Sequence, residues 1–169
     1  MALSRLDQLY RTIVLDHSSN PHHRGHLENP THQMQLLNPT CGDAITVDMI
    51  VKDNQIEQIA FNGEGCTISI SSASMMTDLM VGKTVNEAIQ LVHDFNQLVG
   101  GTISDDEEEK DEAELRKHLK DAAILAGVKK FPARYKCAIL SWRAVEYGLD
   151  QNRNEQLLHQ DGIERKEDE

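Results

Sequence analysis

The chain predicts an α+β layer fold, with strands first and helices after them. Three observations carry that reading. Residues 44–51 alternate, with Ile45, Val47, Met49 and Val51 on one face and Thr46 and Asp48 on the other. Lys52-Asp53-Asn54-Gln55 is turn chemistry, after which Ile56–Phe61 returns as the second strand of a hairpin. From Thr67 onward the apolar spacing becomes helical.

The elements follow in order. Residues 4–17 form a first helix, because Leu6, Leu9, Tyr10, Ile13 and Val14 recur at helical spacing; Ser4 and Asp7 resemble a capping box. HSSNPHHRGHLENP, 17–30, breaks that pattern with two prolines and a glycine and reads as loop. Met34–Leu37 is a candidate third strand. The helix from Thr67 buries Ile68, Ser72, Met75, Met76 and Leu79 and ends at Gly82. Thr84 and Glu87 form a capping box that opens a helix with Ala88, Ile89, Val92 and Phe95. GGTISDDEEEKDE, 100–112, reads as an exposed acidic loop, first of all a solvated insertion, with a docking surface for a basic partner as the alternative. Residues 113–126 form one short helix, and Pro132 suits the first turn of a last helix running to Gly148. Trp142, Met75 and Met76 belong to the core. Residues 1–150 are thus one domain, followed by a polar, frayed tail at 151–169.

Composition narrows the function. A hydrophobic share of 39% over 169 residues suits one globular domain, and aromatics at 4% make its core aliphatic. A net charge of −11 argues against nucleic acid as partner. No apolar run approaches the roughly 20 residues of a membrane span. MALSRLDQLYRTIV lacks the basic and apolar blocks of a signal peptide, so the cytoplasm is the expected location and no membrane partner is expected.

Three cysteines, an odd number with no CxxC spacing, exclude a disulfide framework or a zinc ribbon as the simple reading. Cys41 in NPTCGD precedes the first hairpin strand, and Cys66 in GEGCT follows the second, so both belong at one sheet edge. Cys137 in RYKCAIL joins them if the last helix packs there. Cys66 stands at a helix N-terminus, where free N–H groups favour a thiolate. Asp43 follows Cys41 by two residues, a spacing that shares a face in a strand. Three thiolates and a carboxylate are a tetrahedral zinc set, and iron also accepts thiolates. Spacing alone leaves a second reading open, in which all three are small buried residues. The histidines His17, His22, His23 and His26 suggest a second metal site more weakly, since loop histidines are commonly polar surface.

NPTCGD, GEGCTISISSASMM, RYKC and the N-terminal YRTIVLDHSSNPHHRGHL resemble the U-type iron–sulfur assembly proteins over roughly residues 3–149. That family has two branches, IscU scaffolds and SufU sulfurtransferases. Lys136 stands where scaffolds carry a histidine, and LAGVKKFPARYKC replaces their Leu-Pro-Pro-Val-Lys stretch. Residues 95–121, with their acidic loop, resemble the insertion of the SufU branch.

The resemblance implies a three-stranded antiparallel sheet under helices, a SufE/NifU-like fold. It implies Cys41, Asp43, Cys66 and Cys137 as zinc ligands, with iron or a transient 2Fe–2S cluster as the alternative occupant. The implied activity is zinc-dependent sulfur transfer. A PLP-dependent cysteine desulfurase of the SufS type presents a persulfide, a partner histidine replaces Cys41 on zinc, and Cys41 collects the sulfur for a downstream Suf scaffold complex. Scaffolding of a 2Fe–2S cluster on the same ligands is the alternative. Asp43 is expected to be the most weakly held ligand. Arg134, one turn before Cys137, is a candidate to stabilise thiolate or persulfide charge, with a surface ion pair equally open. Lys136 is expected near the rim.

Overall fold

The computed structural model describes residues 5–150 and 162–165. The tail at 151–161 and 166–169 therefore lies outside the described residues, as do Ser4 and the capping box it was expected to make. The three expected strands are β1 (His32–Asn38), β2 (Asp43–Lys52) and β3 (Gln55–Glu64), all antiparallel. Asp53 and Asn54 turn the hairpin with φ of 51° and 64°, the left-handed pair that a tight two-residue connection demands. Register places Met34, Val47 and Phe61 side by side, and all three are buried.

The tail does not simply fray. Residues Glu164–Arg165 form β4, which pairs with Leu36 and Leu37 of β1, so the sheet runs β3-β2-β1-β4. Ile163 is buried beside it, which gives this otherwise polar segment an apolar anchor.

Among the described residues there are five α-helices, α1 (Arg5–Ser19), α2 (Thr67–Met80), α3 (Val85–Leu98), α4 (Glu112–Leu119) and α5 (Pro132–Leu149), of which α2 and α5 pack on the sheet. Helix α2 contacts both α1 and α5, and it is buried nearly all round. Its small Ser and Ala side chains let neighbours approach, and its hydroxyls are satisfied internally. Ser72 Oγ donates to the Ala138 carbonyl at 2.6 Å and accepts from Trp142 Nε1 at 2.9 Å. Trp142 also stacks on Phe95, with ring centroids 4.0 Å apart, and Met75 and Met76 are core as expected. Both halves of the Thr84–Glu87 capping box are present.

Two segments depart from expectation. The single helix expected over 113–126 breaks at Lys120, which has a φ of 49°, and continues as a 3₁₀ stretch over Lys120–Lys130. Ala122, Leu125 and Val128 are buried there, and their spacing of three is the 3₁₀ period. The acidic segment is pinned rather than free. Lys110 Nζ lies 2.8 Å from buried Asp94, Gln97 bonds the backbone at Glu108 and Lys110, and His93 bridges Glu107 and Glu146. Asp105, Asp106, Glu108 and Glu109 remain exposed. No described helix is long and apolar enough to cross a membrane.

Candidate metal centre

The hairpin ends set the site. Ala44 pairs with Glu64, so the chain enters β2 and leaves β3 at the same edge. Cys41 lies in the turn ahead of β2, exposed, while Asp43 is the first strand residue and is buried. The strand begins too late for the shared-face argument to place Cys41; the turn through Gly42 does so instead. Helix α5 brings Cys137, fully buried, to the same point. The ligand atoms of Cys41, Asp43 and Cys137 all lie within 4.8 Å of one another, and the two sulfurs are 3.5 Å apart as free thiols.

Cys66 is the N-cap residue of α2, as the sequence predicts. Its backbone N–H donates to Asp43 Oδ1 at 3.0 Å, and its sulfur lies 3.5 Å from Ser69 Oγ. It stands beside Cys137 but outside the cluster of the other three. Two glycines make this approach possible. A Cβ at Gly63, where φ is +130°, would lie 1.9 Å from the Ala44 carbonyl oxygen; one at Gly65 would lie 2.8 Å from Ser69 Cβ and 3.0 Å from Asp43 Oδ1.

Burial pushes the Cys137 thiol up, reinforced by its hydrogen bond to Cys41 and by negative charge at Cys66 and Asp43. With no cation among these four side chains, ionising one disfavours ionising the next. A bound divalent ion reverses that logic and holds the thiols deprotonated.

Asn38 is the residue that sequence reasoning missed. It is wholly buried, and its Nδ2 donates to Asp43 Oδ2 at 3.1 Å and faces Cys137 Sγ at 3.8 Å. Its Oδ1 has no partner. An amide donor shared between a carboxylate and a sulfur is the outer support that metal ligands require. The available signal was an asparagine at an inward strand position, three residues before Cys41. The donor set and its support therefore fit a thiophilic divalent ion.

Arg134 is exposed and lines a groove of about 560 Å³ with Tyr10, Arg11, Ile68 and Phe131. Lys136 is half-buried at the rim, its Nζ 3.4 Å from Thr40 Oγ1 and lying across Gly162 of the returning tail.

The family model for the NifU-like N-terminal domain matches residues 9–138. The chain belongs to the NifU-like N-terminal domain family. Within it, the chain is 43% identical over 158 residues to the iron–sulfur cluster assembly scaffold protein IscU of Streptococcus pyogenes serotype M1, covering 94% of this chain and 93% of that protein. It is 41% identical over 146 residues to the zinc-dependent sulfurtransferase SufU of Bacillus subtilis strain 168, covering 86% and 92%. The N-terminal part of a nitrogen-fixing NifU-like protein from Brucella abortus has the same fold, with a TM-score of 0.70 at 20% identity over 86% of this chain and 95% of that one. The resemblance to the IscU and SufU proteins and the α+β fold expected from it both hold.

Proposed function

We propose that this NifU-like protein is a zinc-dependent sulfur acceptor in iron–sulfur cluster assembly. It takes persulfide sulfur from a PLP-dependent cysteine desulfurase of the SufS type in the cytoplasm and passes it to a Suf scaffold complex. One observation carries the reading: the ligand set is unequal in exposure. Asp43 and Cys137 are 2% and 0% exposed and held by neighbours, whereas Cys41 is exposed on a turn. A purely structural centre has no use for one accessible ligand.

Cys41, Asp43, Cys66 and Cys137 would hold the zinc, which supplies thiolates at neutral pH and shields them from oxidation. The protein residues divide the remaining work. Asn38 and the Cys66 N–H orient Asp43. The Cys41 thiolate attacks the outer sulfur of the donor's Cys–S–SH. A bond forms between Cys41 Sγ and that sulfur, the donor's S–S bond breaks, and the donor cysteine leaves as thiolate. Arg134, one turn before Cys137, and Lys136, beside Thr40, are the cations assigned to balance this negative charge.

The similarity to a protein named IscU supports a second reading, in which the same residues carry a 2Fe–2S cluster as cargo. Lys136 in the place of a scaffold histidine, the segment 95–121 and the likeness to a SufU favour sulfur transfer. Metal analysis of the purified protein, with desulfurase turnover measured in its presence, separates them. Bound zinc and a rise in turnover that Cys41→Ser abolishes support the sulfur acceptor. A brown, zinc-free protein that leaves turnover unchanged supports the scaffold.

A further inference from the structure

A second cluster of ligand side chains lies on the far part of α2. His17 at the end of α1, His22 in the following loop and Asp78 on α2 each offer a ligand atom within 4.8 Å of the others. Asp78 is 12 residues beyond Cys66, about 18 Å along the helix axis. The cluster is therefore separate from the cysteine centre.

The arrangement is more than a tie between loop and helix. His22 Nδ1 lies 2.6 Å from Asp78 Oδ2, which alone would pin the loop. Yet the buried His17 ring stands beside it, with centroids 4.7 Å apart, facing the same carboxylate region. Ser74 Oγ, 2.7 Å from His17 Nδ1 and accepting the His22 N–H at 2.8 Å, fixes the His17 ring and the loop together. His22 and Asp78 are partly open to solvent, which provides an entry path and room for water ligands. His23 stays at the margin, 3.0 Å from Thr77 Oγ1 and 3.5 Å from Asp78 Oδ1, and His26 turns away to Asn62 and Asp48.

We infer that His17, His22 and Asp78 form a second binding site for a borderline divalent transition ion such as zinc, with water completing the coordination. Two imidazoles, one carboxylate and water are an open zinc-type set. Binding there clamps α1 and the 20–31 loop onto α2, the helix whose first turn carries Cys66. This site does not depend on the sulfur-acceptor reading.

Cobalt(II) titration of the full, untagged chain tests it, because thiolate ligation gives intense near-ultraviolet charge transfer and nitrogen–oxygen ligation does not. The triple variant Cys41→Ser, Cys66→Ser, Cys137→Ser is expected to bind one equivalent with weak visible bands only. Adding His22→Ala or Asp78→Asn, both at exposed positions, lowers that affinity at least about tenfold, since even an outer partner is worth about 10–100-fold. His17→Gln keeps a polar partner for Ser74 and is expected to lose the ion with an unchanged circular dichroism spectrum. If the triple variant binds no cobalt while folded, or if wild-type protein binds a non-thiolate equivalent that His22→Ala and Asp78→Asn both leave intact, the inference is overturned. Failure of the cysteine centre alone would leave the triple-variant result unchanged.

Discussion

Replacing Asp43 with alanine tests how far the metal centre depends on one buried carboxylate. Its two oxygens accept from Asn38 Nδ2 at 3.1 Å and from the Cys66 N–H at 3.0 Å. Each charge-assisted bond is worth about 1.5–3 kcal/mol, and each donor left without an acceptor costs about 1–3 kcal/mol. The Cys66 N–H is half-exposed and recovers water, whereas Asn38 is sealed in, so the net loss is about 2–3 kcal/mol. That lowers the midpoint of thermal unfolding of the metal-free protein by roughly 4–12 °C. Asp43→Asn is milder, because Asn38 can turn its unpartnered Oδ1 toward the new amide. Both substitutions remove the oxygen ligand of the proposed zinc centre, so zinc affinity is expected to fall in both, and sulfur transfer to change with it. Calorimetry of the metal-free variants, chelator competition for zinc and transfer assays measure these three quantities separately. Unchanged transfer in Asp43→Asn alongside weakened zinc binding would refute the coupling of sulfur transfer to the Asp43 carboxylate.

Gly65→Ala places a methyl group 3.0 Å from Asp43 Oδ1 and 2.8 Å from Ser69 Cβ, so zinc affinity should fall in a folded protein, as chelator competition would show. Gly63→Ala meets the Ala44 carbonyl oxygen at 1.9 Å with φ at +130°, and should cost about 3 kcal/mol or more in chemical denaturation. Donating a hydrogen bond to the Glu146 carboxylate raises His93 against the effect of burial, so its contribution is full below pH about 6.5 and is lost as pH rises through the raised value. Burial raises Glu146, but His93 and Arg143 overcome it and leave it lowered, so its contribution holds above pH about 4.5 and is lost as pH falls through the lowered value. The midpoint difference between wild type and His93→Gln should therefore shrink above pH about 6.5; a difference that grows there contradicts the pairing of His93 with Glu146. Ending the chain before Gly162 uncovers the β1 edge and removes buried Ile163, which should cost about 1.5–3 kcal/mol by denaturant titration.

Local chemistry made much of this legible. Alternation around Val47 and the Asp53-Asn54 turn defined the hairpin, Thr84 with Glu87 defined the start of α3, and Gly65-Cys66-Thr67 marked a helix cap. The hairpin geometry in turn predicted that Cys41 and Cys66 share an edge, and the structure adds the Cys66 N–H bond to Asp43. What escaped depended on distant partners. The serines of α2 are buried because α1 and α5 flank that helix, a fact that no spacing within α2 encodes. Glu164–Arg165 pairs only because β1 offers a free edge, and a two-residue strand has no periodicity to read. Asn38 looks like an ordinary strand end until Asp43 and Cys137 close around it. The break at Lys120 replaced a helical period of 3.6 with one of three, which short apolar runs do not distinguish.

The proposed sulfur transfer requires that Cys41 be the thiol that leaves the centre to take sulfur. Mass spectrometry of the zinc-loaded protein, after incubation with a SufS-type desulfurase, PLP and cysteine, measures it directly. Alkylation followed by digestion reports which peptide has gained one sulfur atom. The added sulfur is expected on the Cys41 peptide, with Cys66 and Cys137 unmodified and no transfer to Cys41→Ser. Sulfur carried on Cys66 or Cys137 while Cys41 stays unmodified would contradict it.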